Sequence, residues 1–248
     1  MLNRFENISC YEEFEIQCAL TGISKIDVLK VIGHQIDNYY FFVSNDGIFN
    51  WYDLEGNYVK EPGVLTTIIY DYIPQAITRC IIPNSVTSIG ESAFKYCKSL
   101  TSITIPNSIT SIDDGAFHKC ISLKEITIPN SVTYIGDEVF YNCESLKEIT
   151  IPNGVTSIGN DAFYNCKSLK EITIPNGVTC ICIRAFSRCK SLTSITIPDS
   201  VTNIGLMAFF GCESLKEIIF KGKTLNEVKR MGCYPFGIED ESIIKCEM

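Results

Sequence analysis

A period of 23 residues runs through the middle of this chain and constrains its fold more than any other feature. Prolines recur at this spacing from Pro83 to Pro198, and leucines from Leu100 to Leu215. The phenylalanines with the same spacing are Phe94, Phe117, Phe140, Phe163, Phe186 and Phe209. The cysteines with the same spacing are Cys97, Cys120, Cys143, Cys166, Cys189 and Cys212. A fixed period of this length is typical of proteins in which each repeat stacks on its neighbours.

The repeat reads L-x-x-I-x-I-P-N-S/G-V-x-x-I-G-x-x-A-F-x-x-C-x-S, and each part predicts a structure. The alternating aliphatic residues of L-x-x-I-x-I predict a short strand with one face in the core. Proline then ends the strand, and Pro-Asn-Ser/Gly turns the chain. Ala-Phe is expected in a short helical or 3₁₀ turn on the opposite side, and the small, buried cysteine closes the coil. Because one coil cannot bury its own apolar edges, stacked coils should form a parallel sheet with strands about 4.8 Å apart.

With this motif the chain resembles the BspA-type, or Treponema-type, leucine-rich repeat family over roughly residues 77–220. The resemblance implies an α/β solenoid that is curved, with one parallel sheet and short helical or 3₁₀ turns. Many proteins of the family act at cell surfaces or in adhesion, so it also implies a binding role.

The residues before the repeats predict a small α+β module at 1–76. Ser9 and Glu12 match a capping box, which predicts a helix with Tyr11, Phe14 and Cys18 on one face. A second helix is expected from Ser24 to about Ile32, stopped at Gly33. The runs 39–43 and 48–52, separated by an Asn-Asp-Gly turn, predict a β-hairpin.

The residues after the repeats, 221–248, are expected to cap the open end of the solenoid. Thr224 and Glu227 match a capping box and predict a helix over about 224–231, with Gly232 as its stop. A turn at 234–237 and a last strand from Ser242 to Cys246 should follow.

Charge and hydropathy exclude several classes of partner. The formal net charge is −8, so the protein as a whole should be repelled by nucleic acid and by anionic membranes. No run of 18 uncharged apolar residues is present, and the first residues show no apolar signal region. Membrane insertion is therefore not expected, and cytoplasmic residence is the default, with a virion as the alternative.

The sequence offers little catalytic chemistry. The histidines are His34 and His118, and His118 occupies a repeat position that other coils fill with varied residues. Nucleophile elbows, phosphate loops and dinucleotide fingerprints do not occur, so we predict no enzyme activity and no cofactor. Cys180 and Cys182 interrupt the repeat and could be half of a soft-metal or redox site. With no second close cysteine pair, inert thiols are the favoured interpretation.

Outward residues of the predicted strands are the candidate binding residues. They form a threonine row with Thr127, Thr150 and Thr173 and a charged row with Lys147, Glu148, Lys170 and Glu171. A solvated face in which lysine and glutamate offset each other is the alternative, since an exposed pair contributes only about 0–1 kcal/mol. Tyr40 and Trp51 lie in an aromatic stretch that suggests a carbohydrate platform, although the core of a small sheet is the favoured interpretation.

Together these features predict a scaffold without enzyme activity that binds another protein, or acts in adhesion, through its strand face. A carbohydrate is the alternative ligand. The alternative function is a structural subunit of a larger assembly, such as a virion or a surface layer.

Overall fold

Helices and an antiparallel sheet come first along the chain, and a stack of parallel strands follows. The computed structural model describes residues 8–69 and 72–247. The α-helices in this part of the chain are α1 (Tyr11–Thr21), α2 (Lys25–Ile32) and α3 (Leu225–Lys229).

The N-terminal sheet confirms the predicted hairpin and extends it on both sides. Its strands, in spatial order, are β1 (His34–Ile36), β2 (Tyr39–Val43), β3 (Phe49–Asp53) and β4 (Tyr58–Val59), all antiparallel. Helix α2 is also as predicted, since the Ser24 side chain accepts a hydrogen bond from the Asp27 N–H and Gly33 is the C-cap.

The prediction of a capping box at Ser9 and Glu12 was wrong. The N-cap of α1 is Cys10, which makes no capping hydrogen bond through its side chain. Ser9 lies outside the helix, and its N–H donates to Glu13 Oε2 at 2.8 Å. The reason is that α1 begins one residue later than the capping box requires, which brings Glu13 back to Ser9 in place of Glu12. Of the residues predicted to share one face of α1, Phe14 and Cys18 are buried and Tyr11 is half-buried against the same cluster.

Both faces of the N-terminal sheet are buried, because each packs against a different layer. Phe42 and Tyr52 pack against the helices in a cluster that includes Phe14. Phe41 and Trp51, on the opposite face, belong to the same apolar core as the repeats. The module is therefore joined to the solenoid through a continuous core.

The first strand of each repeat contributes to a parallel ladder. Its strands are β6 (Arg79–Ile81), β8 (Ser102–Thr104), β11 (Glu148–Thr150), β13 (Glu171–Thr173), β15 (Ser194–Ile197) and β17 (Glu217–Lys221). Strands β6 and β8 pair with each other, and the other four pair in chain order. Between these groups, Glu125 forms a single bridge to Glu148. The predicted parallel sheet is confirmed, and its register follows the 23-residue period.

A second parallel ladder, divided into a four-stranded and a three-stranded sheet, lies along the V-x-x-I-G segments. Its strands are β5 (Thr67–Ile68), β7 (Ser88–Ile89), β9 (Ser111–Ile112), β10 (Tyr134–Ile135), β12 (Ser157–Ile158), β14 (Cys180–Ile181) and β16 (Asn203–Ile204). Thr67 pairs with Ser88, so the ladder begins within the first 76 residues.

The Ala-Phe segment is neither a helix nor a continuous 3₁₀ turn. In the second coil, the N–H groups of Ala116 and His118 donate to carbonyls three residues earlier, at 3.2 and 2.9 Å. The alternate N–H groups, of Gly115 and Phe117, donate to the following coil, at 2.8 and 2.9 Å. A helix would keep all these donors within its own coil. Successive turns leave every second donor free to join neighbouring coils.

The phenylalanine and cysteine columns fill the interior, as predicted. The rings of the phenylalanine column are at most 2% exposed and stack nearly parallel, with centroids 5.2–5.8 Å apart. The cysteines do more than fill space, because from Cys120 to Cys212 their thiols donate to phenylalanine carbonyls of the preceding coil. Cys166 Sγ, for example, lies 3.2 Å from Phe140 O.

The C-terminal residues complete the last coil. Thr224 and Glu227 form the predicted capping box at the start of α3, although the helix is shorter than expected. The last strand, β18 (Ile244–Glu247), pairs in parallel with β17. Phe236 is fully buried, and its carbonyl accepts the Phe209 N–H at 3.0 Å, where another coil would otherwise bond. The segment therefore takes the place of a further repeat.

Candidate functional site

The outward positions of the first ladder form one continuous polar face. Glu148 pairs in register with Glu171, and Thr150 with Thr173. All the candidate residues on this face are exposed: Thr127, Lys147, Glu148, Thr150, Lys170, Glu171 and Thr173. The intervening Ile149 is buried. The strand pattern therefore separates a core side from an accessible side, as the sequence predicted.

This face encloses a groove of about 730 Å³ across four coils. Its polar lining consists of Ser102, Asn107, Glu125, Thr127, Asn130, Glu148, Thr150, Glu171 and Thr173. A further hollow of about 700 Å³ continues the face past Thr173 toward Thr196 and Lys221. Sequence reasoning missed Asn107 and Asn130, because it assigned the Pro-Asn turns a purely structural role. The asparagine that recurs after the proline of these turns was the sequence signal that could have identified both residues.

The charges in the groove are acidic. Glu125, Glu148 and Glu171 occupy equivalent positions in adjacent strands, which lie about 4.8 Å apart in a sheet. Among the ion pairs of residues 8–69 and 72–247, none involves these three carboxylates. The lysines that precede them are exposed but do not line the groove. The groove therefore offers carboxylates, hydroxyls and amides to a ligand.

Trp51 lies in the core, which was the favoured interpretation of the aromatic stretch, and its ring is not accessible as a carbohydrate platform. Its side chain is 1% exposed and packs 4.7 Å from the ring of Phe41 in the solenoid core. Tyr40 is half-buried and packs against the cluster formed by the two helices. Because side chains alternate along a strand and both faces are covered, the two rings do not form a shared platform.

An aromatic stack on another side of the solenoid was not predicted. The rings of His118 and Tyr141 stack with centroids 4.7 Å apart, and Tyr141 and Tyr164 repeat that distance. His118 Nδ1 lies 3.2 Å from Glu138 Oε2. Burial lowers the pKa of His118, as does the nearby Lys95, whereas Glu138 acts in the opposite direction. His118 is 8% exposed, so its place in the stack indicates packing. Tyr141 and Tyr164 are 23 residues apart, and this spacing was the sequence signal that could have predicted the stack.

Membrane spans and metal centres are the remaining kinds of site. In the part of the chain that the structure describes, no helix is long and apolar enough to cross a membrane. Over the same residues, no group of three or more histidine, cysteine, aspartate or glutamate side chains is placed to hold a metal ion.

Comparisons with known proteins agree with the architecture. The model of the BspA type leucine rich repeat region matches six copies over residues 69–181 and 133–238. No curated protein sequence matches the chain. Among solved structures, a leucine rich cell surface protein from Faecalibacterium prausnitzii is 34% identical with a TM-score of 0.59. The match covers 76% of this chain and 54% of that one, so this chain spans about half the length of that relative.

A second similar structure is the leucine rich repeat protein of T. pallidum. It is 27% identical with a TM-score of 0.62, and the match covers 84% of this chain and 97% of that one. The expectation of cytoplasmic residence gains no support from these relatives, since the Faecalibacterium protein is described as a cell surface protein. The family model covers well over half of the residues, and the chain therefore belongs to the BspA-type leucine-rich repeat family.

Proposed function

We propose that this protein is a scaffold without enzyme activity that binds another protein through the groove of its first ladder. The observation that carries the proposal is the continuous polar lining of that groove, supplied by equivalent residues of adjacent coils. Membership of a leucine-rich repeat family supports a role in protein interaction in general.

The lining is rigid, which favours binding. Strand pairing fixes Glu148 opposite Glu171 and Thr150 opposite Thr173, while Ile149 and Ile172 anchor both strands in the core. A surface whose backbone is already ordered loses little conformational freedom on binding, so more of the contact energy remains as affinity.

The charge of the lining favours a partner with basic side chains. Like charges directly opposite each other on adjacent strands destabilise a sheet. Glu125, Glu148 and Glu171 nevertheless stand side by side without an ion-pair partner among the described residues. Lysine or arginine side chains of a bound protein would offset that repulsion, and the threonine hydroxyls beside them would add hydrogen bonds.

The absence of catalysis is part of the proposal. His118 is held in an aromatic stack and is nearly inaccessible, which argues against its use as a general base. The residues that line the groove include no histidine and no cysteine.

The compartment is proposed as well. The Faecalibacterium relative is described as a cell surface protein, which favours a partner met at a surface. Labelling intact cells with a membrane-impermeant amine reagent tests this. Labelling of this chain without lysis is expected, and labelling only after lysis would contradict it.

Site-specific photocrosslinking tests the binding face and captures the partner in the same step. A photoreactive residue replaces Thr150, which lines the groove, or Thr133 as the matched control. Thr133 is also exposed and lies one coil away, but it is outside the groove. We expect a discrete adduct in native extract from the Thr150 variant and little from the Thr133 variant. Equal yields, or an adduct only at Thr133, would contradict the proposed face.

A further inference from the structure

One coil departs from the repeat at two positions in the second ladder. Cys180 stands where the preceding coil has Ser157, and Cys182 stands where that coil has Gly159. Cys180 and its neighbour Ile181 form β14, and Ile181 is buried. Residues on either side of a buried strand residue face outward, and both cysteines are partly exposed. Two thiols therefore share one accessible side of the strand.

The two sulfur atoms lie close together. Cys180 Sγ is 3.6 Å from Cys182 Sγ. Asn203 Nδ2, from the next coil, lies 3.5 Å from Cys180 Sγ and can donate a hydrogen bond to it.

The sulfur separation matches one edge of a tetrahedral metal site. Two thiolates each about 2.3 Å from a zinc ion stand about 3.8 Å apart in tetrahedral geometry, and about 4.6 Å apart if collinear. The observed 3.6 Å between Cys180 Sγ and Cys182 Sγ therefore needs almost no adjustment for the tetrahedral case.

A disulfide between the same residues fits less well. Residues two apart in a strand have Cα atoms about 6.6 Å apart, at the upper end of the range for disulfides. Strand β14 is held extended on both sides, because Cys180 pairs with Ser157 and with Asn203. Closing the S–S bond would have to bring the sulfur atoms from 3.6 Å to about 2.05 Å with the Cα atoms near the upper limit of separation.

We propose that Cys180 and Cys182 form a bidentate site for a thiophilic divalent cation of the Zn²⁺ or Cd²⁺ type. Each binding event exchanges two S–H bonds for two metal–sulfur bonds and releases two protons, without oxidation or reduction. Water completes the coordination, since among the described residues no third histidine, cysteine, aspartate or glutamate is placed to join the two thiols. Because the site lies on the second ladder, it does not depend on the proposed binding face.

Proton competition gives the site a recognisable signature. An ordinary thiol is mostly protonated at neutral pH, so the cation must displace a proton from each sulfur. With two protons released per ion, the apparent affinity should rise about 100-fold per pH unit around neutral pH. Binding by carboxylates alone would be nearly independent of pH above about pH 6.

The test is a titration of the reduced, full-length protein with Cd²⁺, followed by the ultraviolet absorbance of cadmium–thiolate charge transfer. We expect one Cd²⁺ per chain, with the steep pH dependence given above. The double variant Cys180→Ser, Cys182→Gly restores the residues of the preceding coil, so it should fold normally and lose the band. The matched control Cys233→Ser removes an exposed cysteine elsewhere and should keep the band.

Three results would overturn the proposal. The first is the absence of the band in the wild-type protein at stoichiometric Cd²⁺. The second is a band that survives in the folded double variant, with circular dichroism and gel filtration as the folding controls. The third is an apparent Cd²⁺ affinity that does not change with pH around neutrality, because two displaced thiol protons require a steep dependence.

Discussion

Replacing Phe163 by alanine tests how the coils are held together. The ring is fully buried in the middle of the phenylalanine column. Its centroid lies 5.3 Å from that of Phe140 and 5.4 Å from that of Phe186, with interplanar angles of 14° and 5°. The substitution therefore removes contacts to the coil before and the coil after at once.

The expected cost follows from two contributions. A buried Phe→Ala change costs about 3–5 kcal/mol through lost burial and the cavity left behind. Each stacked aromatic pair contributes about 0.5–1.5 kcal/mol beyond burial, and Phe163 loses two such pairs. We therefore expect a loss of about 5 kcal/mol. Phe94→Ala, at the start of the column, loses its stacking only on Phe117 and should cost about 1 kcal/mol less.

Urea denaturation followed by circular dichroism measures these free energies of unfolding. Phe210→Ala is the control, since this ring is 40% exposed and its loss should cost only about 1–2 kcal/mol. If Phe163→Ala does not fold, Phe163→Leu keeps most of the volume and restores a measurable transition. A Phe163→Ala protein within about 1 kcal/mol of the wild type would refute the stacked column as the source of cohesion between coils.

The remaining predictions concern the thiols and the cap. The unfolded, unreduced chain should titrate as thirteen free thiols and the native chain only as the six that are not buried, so fewer than about ten thiols after unfolding would contradict unpaired cysteines. Cys166→Ser should destabilise by about 1–2 kcal/mol, measured by urea denaturation, because a hydroxyl can still donate to Phe140 O but leaves a gap; no loss would contradict a packed column. Burial raises the pKa of Cys97 and Cys212 to about 12, so the unfolded chain loses these protons first. Stability should be full below about pH 8.5 and fall toward pH 12 by about 1.4 kcal/mol per pH unit per thiol, and a flat alkaline profile would contradict this. Deleting 221–248 removes β18 and exposes the edge of β17, so the truncated chain should associate on gel filtration, whereas a clean monomer would contradict the capping role.

Much of the fold could be predicted because each repeat position meets the same environment six times. The period identified the solenoid, and alternation in L-x-x-I-x-I identified the buried side of its strands. The capping box at Thr224 and Glu227 is a local signal that needs no tertiary context, and it was confirmed. The capping box predicted at Ser9 and Glu12 does not form, because the N-cap of α1 is Cys10, one residue after Ser9.

The features that escaped prediction depend on contacts between coils. The second ladder consists of two-residue strands, too short to show alternation. The turn at Ala-Phe resembles a helix locally, yet alternate donors such as the N–H of Phe117 bond to the next coil. Core burial of Trp51 was the favoured interpretation, but its packing in the same core as the repeats depends on how the sheet meets the solenoid, which the sequence of a single strand does not reveal.

The candidate site could be predicted only as a row of outward residues. Exposure of Glu148 and Thr150 follows from alternation with the buried Ile149. The groove itself arises where four coils meet, so it includes Asn107 and Asn130 from turns that sequence reasoning treated as structural. Similarly, the proximity of Cys180 and Cys182 could be inferred from their spacing in the sequence, but the distance between their sulfur atoms is known only from the structure.

Charge reversal on the strand face tests the central claim most directly. The variant exchanges lysine and glutamate at Lys147, Glu148, Lys170 and Glu171, all of which are exposed, so the fold and the net charge should be preserved. A matched control exchanges the same residue types at Glu144, Lys167, Lys190 and Glu213, which form exposed ion pairs outside the groove. The measurement is the affinity of each variant for the partner captured through Thr150, by surface plasmon resonance. We predict a loss of about tenfold or more for the strand-face variant, equivalent to about 1.4 kcal/mol, and little change for the control. Unchanged affinity of the strand-face variant, with loss on Tyr40→Ala instead, would contradict the account and move the site to the N-terminal module.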